Sequence, residues 1–196
     1  ASANAQLQVE SLKNAQIYYF VNLHRPHILD FLMQSIYLKT QSSPLESPYF
    51  GQVPYLLGEG QAMQYSFWPV SSTKTGIPRL PFRPPDDYLR QAMAATLSKH
   101  EAVFDVKVQL QTDPFLMPLE NSAVLWPEGK SPYRTVATLR IPAQSFTSQA
   151  QLDFAKQLSY NPWHSLPEHR PLGNVNRARR RVYDTLSKFR HEMNSV

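Results

Sequence analysis

Along the chain the spacing of hydrophobic positions switches between the helical and the strand period, and each switch marks an element. Ile28, Phe31, Leu32, Ser35, Ile36 and Leu38 recur at helical intervals after Pro26, a residue suited to the first turn, which predicts a helix over roughly 26–40. Met63, Tyr65 and Phe67 alternate with Gln64 and Ser66, the two-residue period of a half-buried strand. Phe104, Val106, Val108 and Leu110 alternate with Asp105, Lys107 and Gln109 in a second strand. A third is expected from Tyr133 to Ile141, and a short fourth near Ala123 to Trp126. Strands of this kind imply an antiparallel sheet or part of a barrel.

Helical spacing returns between and after the strands. Pro84-Pro85-Asp86-Asp87 signals a helix start, and Leu89, Met93 and Leu97 form one apolar stripe reaching Lys99. Ser148 can cap a shorter helix through Leu152, Ala155 and Leu158 that stops before Pro162. Val175, Ala178, Val182, Leu186, Phe189 and Met193 are spaced as one face of a long amphipathic helix. The fold class is α+β. Two proline-rich connections, 42–54 and 69–85, are unsuited to a central strand or a helix interior.

Composition narrows the classes. With 17 Pro, 6 Gly and no Cys in 196 residues, the connections are stiff, and a disulfide scaffold, a Cys-type zinc site, a thiolate haem ligand and a cysteine nucleophile are all excluded. Hydrophobic residues make up 42% and charged residues 18%, ordinary values for a folded domain, so 1–196 is read as a single domain. No apolar stretch approaches the ~20 residues of a membrane span, so no transmembrane segment is expected and the reading is a soluble, cytoplasmic protein. Residues 1–15 lack both a basic and an apolar leader region, and the chain begins at Ala, so its start reads as processed or as cut from something longer.

The net charge of +5 is concentrated near the end. Between Asn174 and Asn194 stand Arg177, Arg179, Arg180, Arg181, Lys188 and Arg190 against Asp184 and Glu192. Basic runs contact nucleic-acid phosphates, yet Val175, Ala178 and Val182 share this helix and no aromatic residues interleave, so no nucleic acid is expected. His24 and His27 flank Pro26 without a nearby carboxylate and are read as a solvated helix start; His100 and His191 lie near helix ends, where a dipole interaction accounts for them.

The densest group of unusual residues is Leu158 to Gly173, LSYNPWHSLPEHRPLG. One reading is a rigid loop anchored by its aromatic residues. Another begins from Tyr160, placed at the last turn of a helix, because a phenol binds ferric iron once ionised. A free phenol has a pKa of about 10, so a phenolate at neutral pH needs the metal and nearby cations. Lys156 lies four residues earlier, Arg170 follows, and Arg177 opens the last helix.

The tail from Leu158 to Met193 resembles the C-terminal signature of the catalase-related haem proteins, especially small bacterial-type members and the allene oxide synthases that act on fatty-acid hydroperoxides. Ser47 to Trp68, SPYFGQVPYLLGEGQAMQYSFW, looks like the stretch of that family that leads into a barrel strand. The resemblance implies an incomplete catalase-type barrel-like sheet lacking the N-terminal part of the family domain. It implies haem b, with Tyr160 as the iron ligand, Lys156 in place of the arginine that supports the phenolate, and His169, Arg170 and Arg177 on the cationic side of the cofactor. The family's distal His has no counterpart before Tyr18, so the catalytic group remains unassigned. The implied function is a haem-dependent oxidoreductase acting on hydrogen peroxide or on organic or lipid hydroperoxides. The alternative is a non-enzymatic catalase-like fragment that pairs with a complementary chain, a second copy or lipid.

Overall fold

The chain divides into two compact units, Ala1–Thr40 and Gln41–Val196. The structure, a computed structural model, describes residues 28–29, 40–71, 75–78 and 84–194. The helix expected over 26–40 therefore lies outside the described residues except for Ile28, Leu29 and Thr40, as do His24, His27 and everything before Tyr18.

Among the described residues of the second unit an open antiparallel sheet of five strands carries three α-helices. The strands are β1 (Tyr49–Phe50), β2 (Tyr55–Leu56), β3 (Ala62–Pro69), β4 (Ala102–Leu110) and β5 (Arg134–Ile141). Their order is β1-β3-β4-β5, with β2 also beside β3. The helices are α1 (Tyr88–Leu97), α2 (Gln149–Gln157) and α3 (Gly173–Asn194), and two 3₁₀ turns occupy Pro44–Glu46 and Pro167–His169. Among the described residues no helix is long and apolar enough to cross a membrane.

Register fixes which side chains share a face. Met63, Tyr65 and Phe67 pair with Leu110, Val108 and Val106, so six apolar side chains stand together on one side of β3 and β4. Two small cores grow from that face. Phe104 joins Leu45, Leu97 and Ala102, with Met93 of the α1 stripe packed against them. Val108 and Met63 join Val53 and Tyr55, with Val175 of α3 alongside.

The opposite face is more covered than simple alternation predicts. Gln109 is only 1% exposed, and its Nε2 donates to the carbonyls of Trp126 at 3.2 Å and Ser131 at 2.8 Å. A polar position thus fastens the long β4–β5 connection onto the sheet. That connection contains no strand near Ala123–Trp126, contrary to the sequence expectation. The Asn121 side chain accepts from the Ala123 N–H and its carbonyl from the Val124 N–H, which curls the segment into a turn before Pro127. β5 is the exposed edge of the sheet, with Val136 and Leu139 open to solvent.

Ser148 caps α2 as expected, in a reciprocal capping box with Gln151. The helix ends sooner than predicted. Leu158 is already extended, at ψ 138°, three residues before the Asn161–Pro162 step at which the pre-proline restriction is expected to stop the helix. Tyr160 therefore stands past the helix and not in its last turn, and Lys156 is not one helical turn behind it.

α3 begins at Gly173, whose φ of +82° is left-handed and whose missing Cβ would lie 2.3 Å from the Leu119 carbonyl oxygen. Gly173→Ala is expected to cost at least about 2 kcal/mol, since both the strain and the backbone clash must be relieved, lowering Tm by roughly 5 °C. Gly129→Ala, where a Cβ meets nothing within 4 Å, should fall within about 0.5 kcal/mol of the parent. Equal melting temperatures for the two variants would refute the steric account.

Candidate functional site

The apolar face of β3 and β4 forms the floor of a cleft of about 830 Å3, supplied by Met63, Tyr65, Phe67, Val106 and Val108. The facing wall is the segment after α2, which brings Tyr160, Pro162, His164 and His169, together with Tyr183 of α3. Such a volume with mainly hydrophobic walls and a few polar groups is the ordinary form of a small-molecule site.

Side-chain hydrogen bonds set this wall in place. Asn161 Nδ2 donates to Asp184 Oδ1 at 2.7 Å, while its Oδ1 accepts from the Trp163 N–H at 3.1 Å. Trp163 Nε1 donates to the Asn176 carbonyl at 2.7 Å, and the Arg180 guanidinium lies 5.1 Å from the Trp163 ring centroid. Ser187 Oγ and Ser159 Oγ are 2.8 Å apart, and Arg190 donates to the Leu158 carbonyl. The polar side of α3 thus binds the loop that carries Tyr160. Further along, the Leu56 N–H donates to the Arg170 carbonyl at 2.9 Å and the Gly58 N–H to the Glu168 carbonyl at 3.0 Å, tying the turn that bears His169 to β2.

The cleft brings together two of the five residues singled out from sequence. Tyr160 lines it while remaining 71% exposed, and His169 lines it with Nδ1 3.4 Å from the Leu56 carbonyl oxygen. Lys156, Arg170 and Arg177 are not on its wall. Lys156 Nζ is 2.8 Å from Asp153 Oδ1, and that hydrogen bond holds the Asp153 carboxyl below its usual range. Arg170 is exposed and contributes its main chain to the β2 contact. Arg177 grips Glu120 with two hydrogen bonds of 3.0 and 2.8 Å, which lower the Glu120 pKa and raise its own.

Sequence reasoning passed over Tyr55, Tyr65 and His164. His164 stands inside the Leu158–Gly173 segment already singled out, and the two tyrosines lie in the Ser47–Trp68 stretch, so the regions were marked though the residues were not. Tyr55 is buried against Tyr65, with hydroxyl oxygens 3.5 Å apart and ring centroids 4.9 Å apart. Burial, reinforced by the Tyr65 hydroxyl, pushes the Tyr55 phenol well above its ordinary value, against the opposing pull of the Arg179 guanidinium. Among the described residues no group of three or more His, Asp or Glu side chains converges as a metal site.

Comparison with known proteins places this geometry in a catalase-like fold. A fungal catalase superposes with a TM-score of 0.60 at 16% sequence identity, covering 77% of this chain and 32% of that one. Catalase A from Saccharomyces cerevisiae gives 0.59 and 16%, covering 77% and 33%. A bacterial catalase gives 0.56 and 15%, covering 84% and 34%. The chain thus spans about a third of the length of these catalases. No protein-family model and no curated protein sequence matches it.

The tyrosine pair makes a pH prediction. A phenol whose folded pKa lies above its unfolded value of 10.0 is stabilised in its neutral form, so its contribution is complete below pH 10 and is lost as pH climbs toward the folded value. Resistance to unfolding in urea should therefore fall above pH 10, and Tyr55→Phe should flatten that decline. An identical decline in parent and variant would show that Tyr55 does not titrate with folding.

Proposed function

We propose that the cleft binds a b-type haem through Tyr160 and that the chain belongs to a haem-dependent oxidoreductase acting on hydroperoxides. One observation carries this reading: on a catalase-like fold, the Tyr160 phenol and the imidazoles of His164 and His169 open onto one apolar cleft of about 830 Å3.

The donor set fits the group. Phenol and imidazole are both haem-iron ligands, and haem needs only one or two protein atoms, which suits a cleft without a multi-carboxylate cluster. Met63, Val106 and Val108 offer the apolar surface that a macrocycle requires. Among the described residues no Lys or Arg lines the cleft, so Lys156, Arg170 and Arg177 would support a bound haem from outside its wall. When bound, ferric haem supplies the redox-active iron needed to cleave a hydroperoxide O–O bond. The protein's part would be to hold that iron by Tyr160 Oη, to keep water from the sheet side with Met63, Val106 and Val108, and to offer the imidazoles of His164 and His169 on the same cleft. Hydrogen peroxide and organic or lipid hydroperoxides are the substrate classes, the apolar floor favouring those with a hydrocarbon chain.

A second reading rests on β5, whose exposed edge with Val136 and Leu139 suits pairing with a complementary chain or a second copy without turnover.

Hemin titration of the purified chain separates them. Under the first reading a ferric haem spectrum develops with a phenolate-to-iron charge-transfer band, and Tyr160→Phe abolishes that band and weakens hemin binding by about tenfold or more. A spectrum unchanged by Tyr160→Phe removes Tyr160 as ligand. A folded chain that leaves hemin free removes the oxidoreductase.

A further inference from the structure

A second cavity, of about 530 Å3, lies where Gln64 of β3 and Phe50 of β1 meet the N-terminal half of α3. Its walls include Phe50, Val53, Val124 and Tyr133, and its polar groups include Gln52, Gln64 and Arg179. Among the described residues no Asp or Glu lines it.

Arg179 is the unusual member. Two residues earlier on α3, Arg177 is neutralised by a bidentate contact with Glu120. Arg179 is half-buried, and among the described residues no carboxylate forms an ion pair with it. Its charge acts instead on the Tyr55 phenol, a neutral group, which it pulls down in pKa against the larger effect of burial. Withdrawing a guanidinium from water without a counter-charge is unfavourable, and its planar fork of five N–H donors matches the two oxygens of a carboxylate. A second signal comes from the backbone. Gln52, on the wall of this cavity, has φ of 58°, a left-handed conformation that a non-glycine residue adopts at a cost.

We propose that this cavity is a binding site for an amphipathic monocarboxylate, its carboxylate on Arg179 and its hydrocarbon part between Phe50, Val124 and Tyr133. One cation suits a single negative charge, and the apolar walls select against small hydrophilic acids. The site does not depend on haem. It does neighbour the first cleft electrostatically, because Tyr55, whose phenol feels the Arg179 guanidinium, lines that cleft together with Tyr65. A carboxylate arriving at Arg179 therefore offsets the charge that Tyr55 feels.

Isothermal titration of the full chain without hemin, using sodium decanoate, decyl alcohol and sodium propionate, tests the assignment, and the absence of hemin keeps its failure separate from that of the haem reading. Decanoate should bind tighter than either control, and Arg179→Gln should weaken it by about tenfold or more with decyl alcohol little affected. Ala123→Trp, which fills the cavity from an exposed wall position, should weaken decanoate while the thermal melt stays near the parent's. Absence of decanoate binding, equal affinity for decyl alcohol, or indifference to Arg179→Gln in a folded variant each overturns the proposal.

Discussion

The Pro54 carbonyl is the point from which the C-terminal half of the described unit is hung. It accepts the Leu172 N–H at 3.0 Å and Asn176 Nδ2 at 2.9 Å, and Asn176 is fully buried with a further bond to the Leu172 carbonyl at 2.9 Å. Pro54 is suited to this part: it precedes β2, has no N–H to satisfy, and leaves its carbonyl free for two donors. Gly173, between the two donors, lets the chain turn against the Leu119 carbonyl at a distance that no side chain allows. Everything after this junction inherits its position, because α3 carries Asp184, Arg180 and Ser187, which in turn hold the loop that bears Tyr160. The wall of the cleft is thus positioned by hydrogen bonds, whereas its floor is positioned by strand register.

That division explains what the sequence disclosed. Strand register and helix stripes follow from periodic apolar burial, so β3, β4, α1 and α3 were legible from Met63–Phe67, Phe104–Leu110, Leu89–Leu97 and Val175–Met193, and a capping box at Ser148 is a local signal. The α+β class and the resemblance to catalases agree with the observed fold. Burial of Gln109 was not legible, because its two acceptors belong to residues 17 and 22 positions away. Nor was the turn at Asn121, where a side-chain acceptor competes with strand pairing that Val124 and Leu125 would otherwise favour.

The candidate site was legible as a region and less so as a set of residues. The proline-rich stretch after α2 marked where the wall would be, yet α2 ends before Tyr160, so helical spacing placed Lys156 one turn behind a tyrosine that stands past the helix. Arg170 and Arg177 stood out for their charge, and charge alone says nothing of what a side chain is already engaged with. Arg177 is occupied by Glu120, 57 residues away in sequence, a pairing set by the docking of α3 against the β4–β5 connection.

The distinction between Arg177 and Arg179 bears on how one sheet can serve two cavities. Both arginines lie in the first two turns of α3, and both are fixed by the same Pro54–Asn176 junction. Arg177 spends its charge on structure, exposed to water, where an ion pair is worth little. Arg179 lies half-buried on the wall of an apolar cavity, and its charge acts on the Tyr55 phenol. Tyr55 pairs with Met63 across β2 and β3 and so belongs to the apolar face of the sheet. A side chain that lines one cleft while its phenol feels the guanidinium of the other makes the two spaces neighbours in energy. Whatever neutralises Arg179 must change the field at the Tyr55 phenol, and with it the Tyr55–Tyr65 pair in the cleft that Tyr160 and His169 also line.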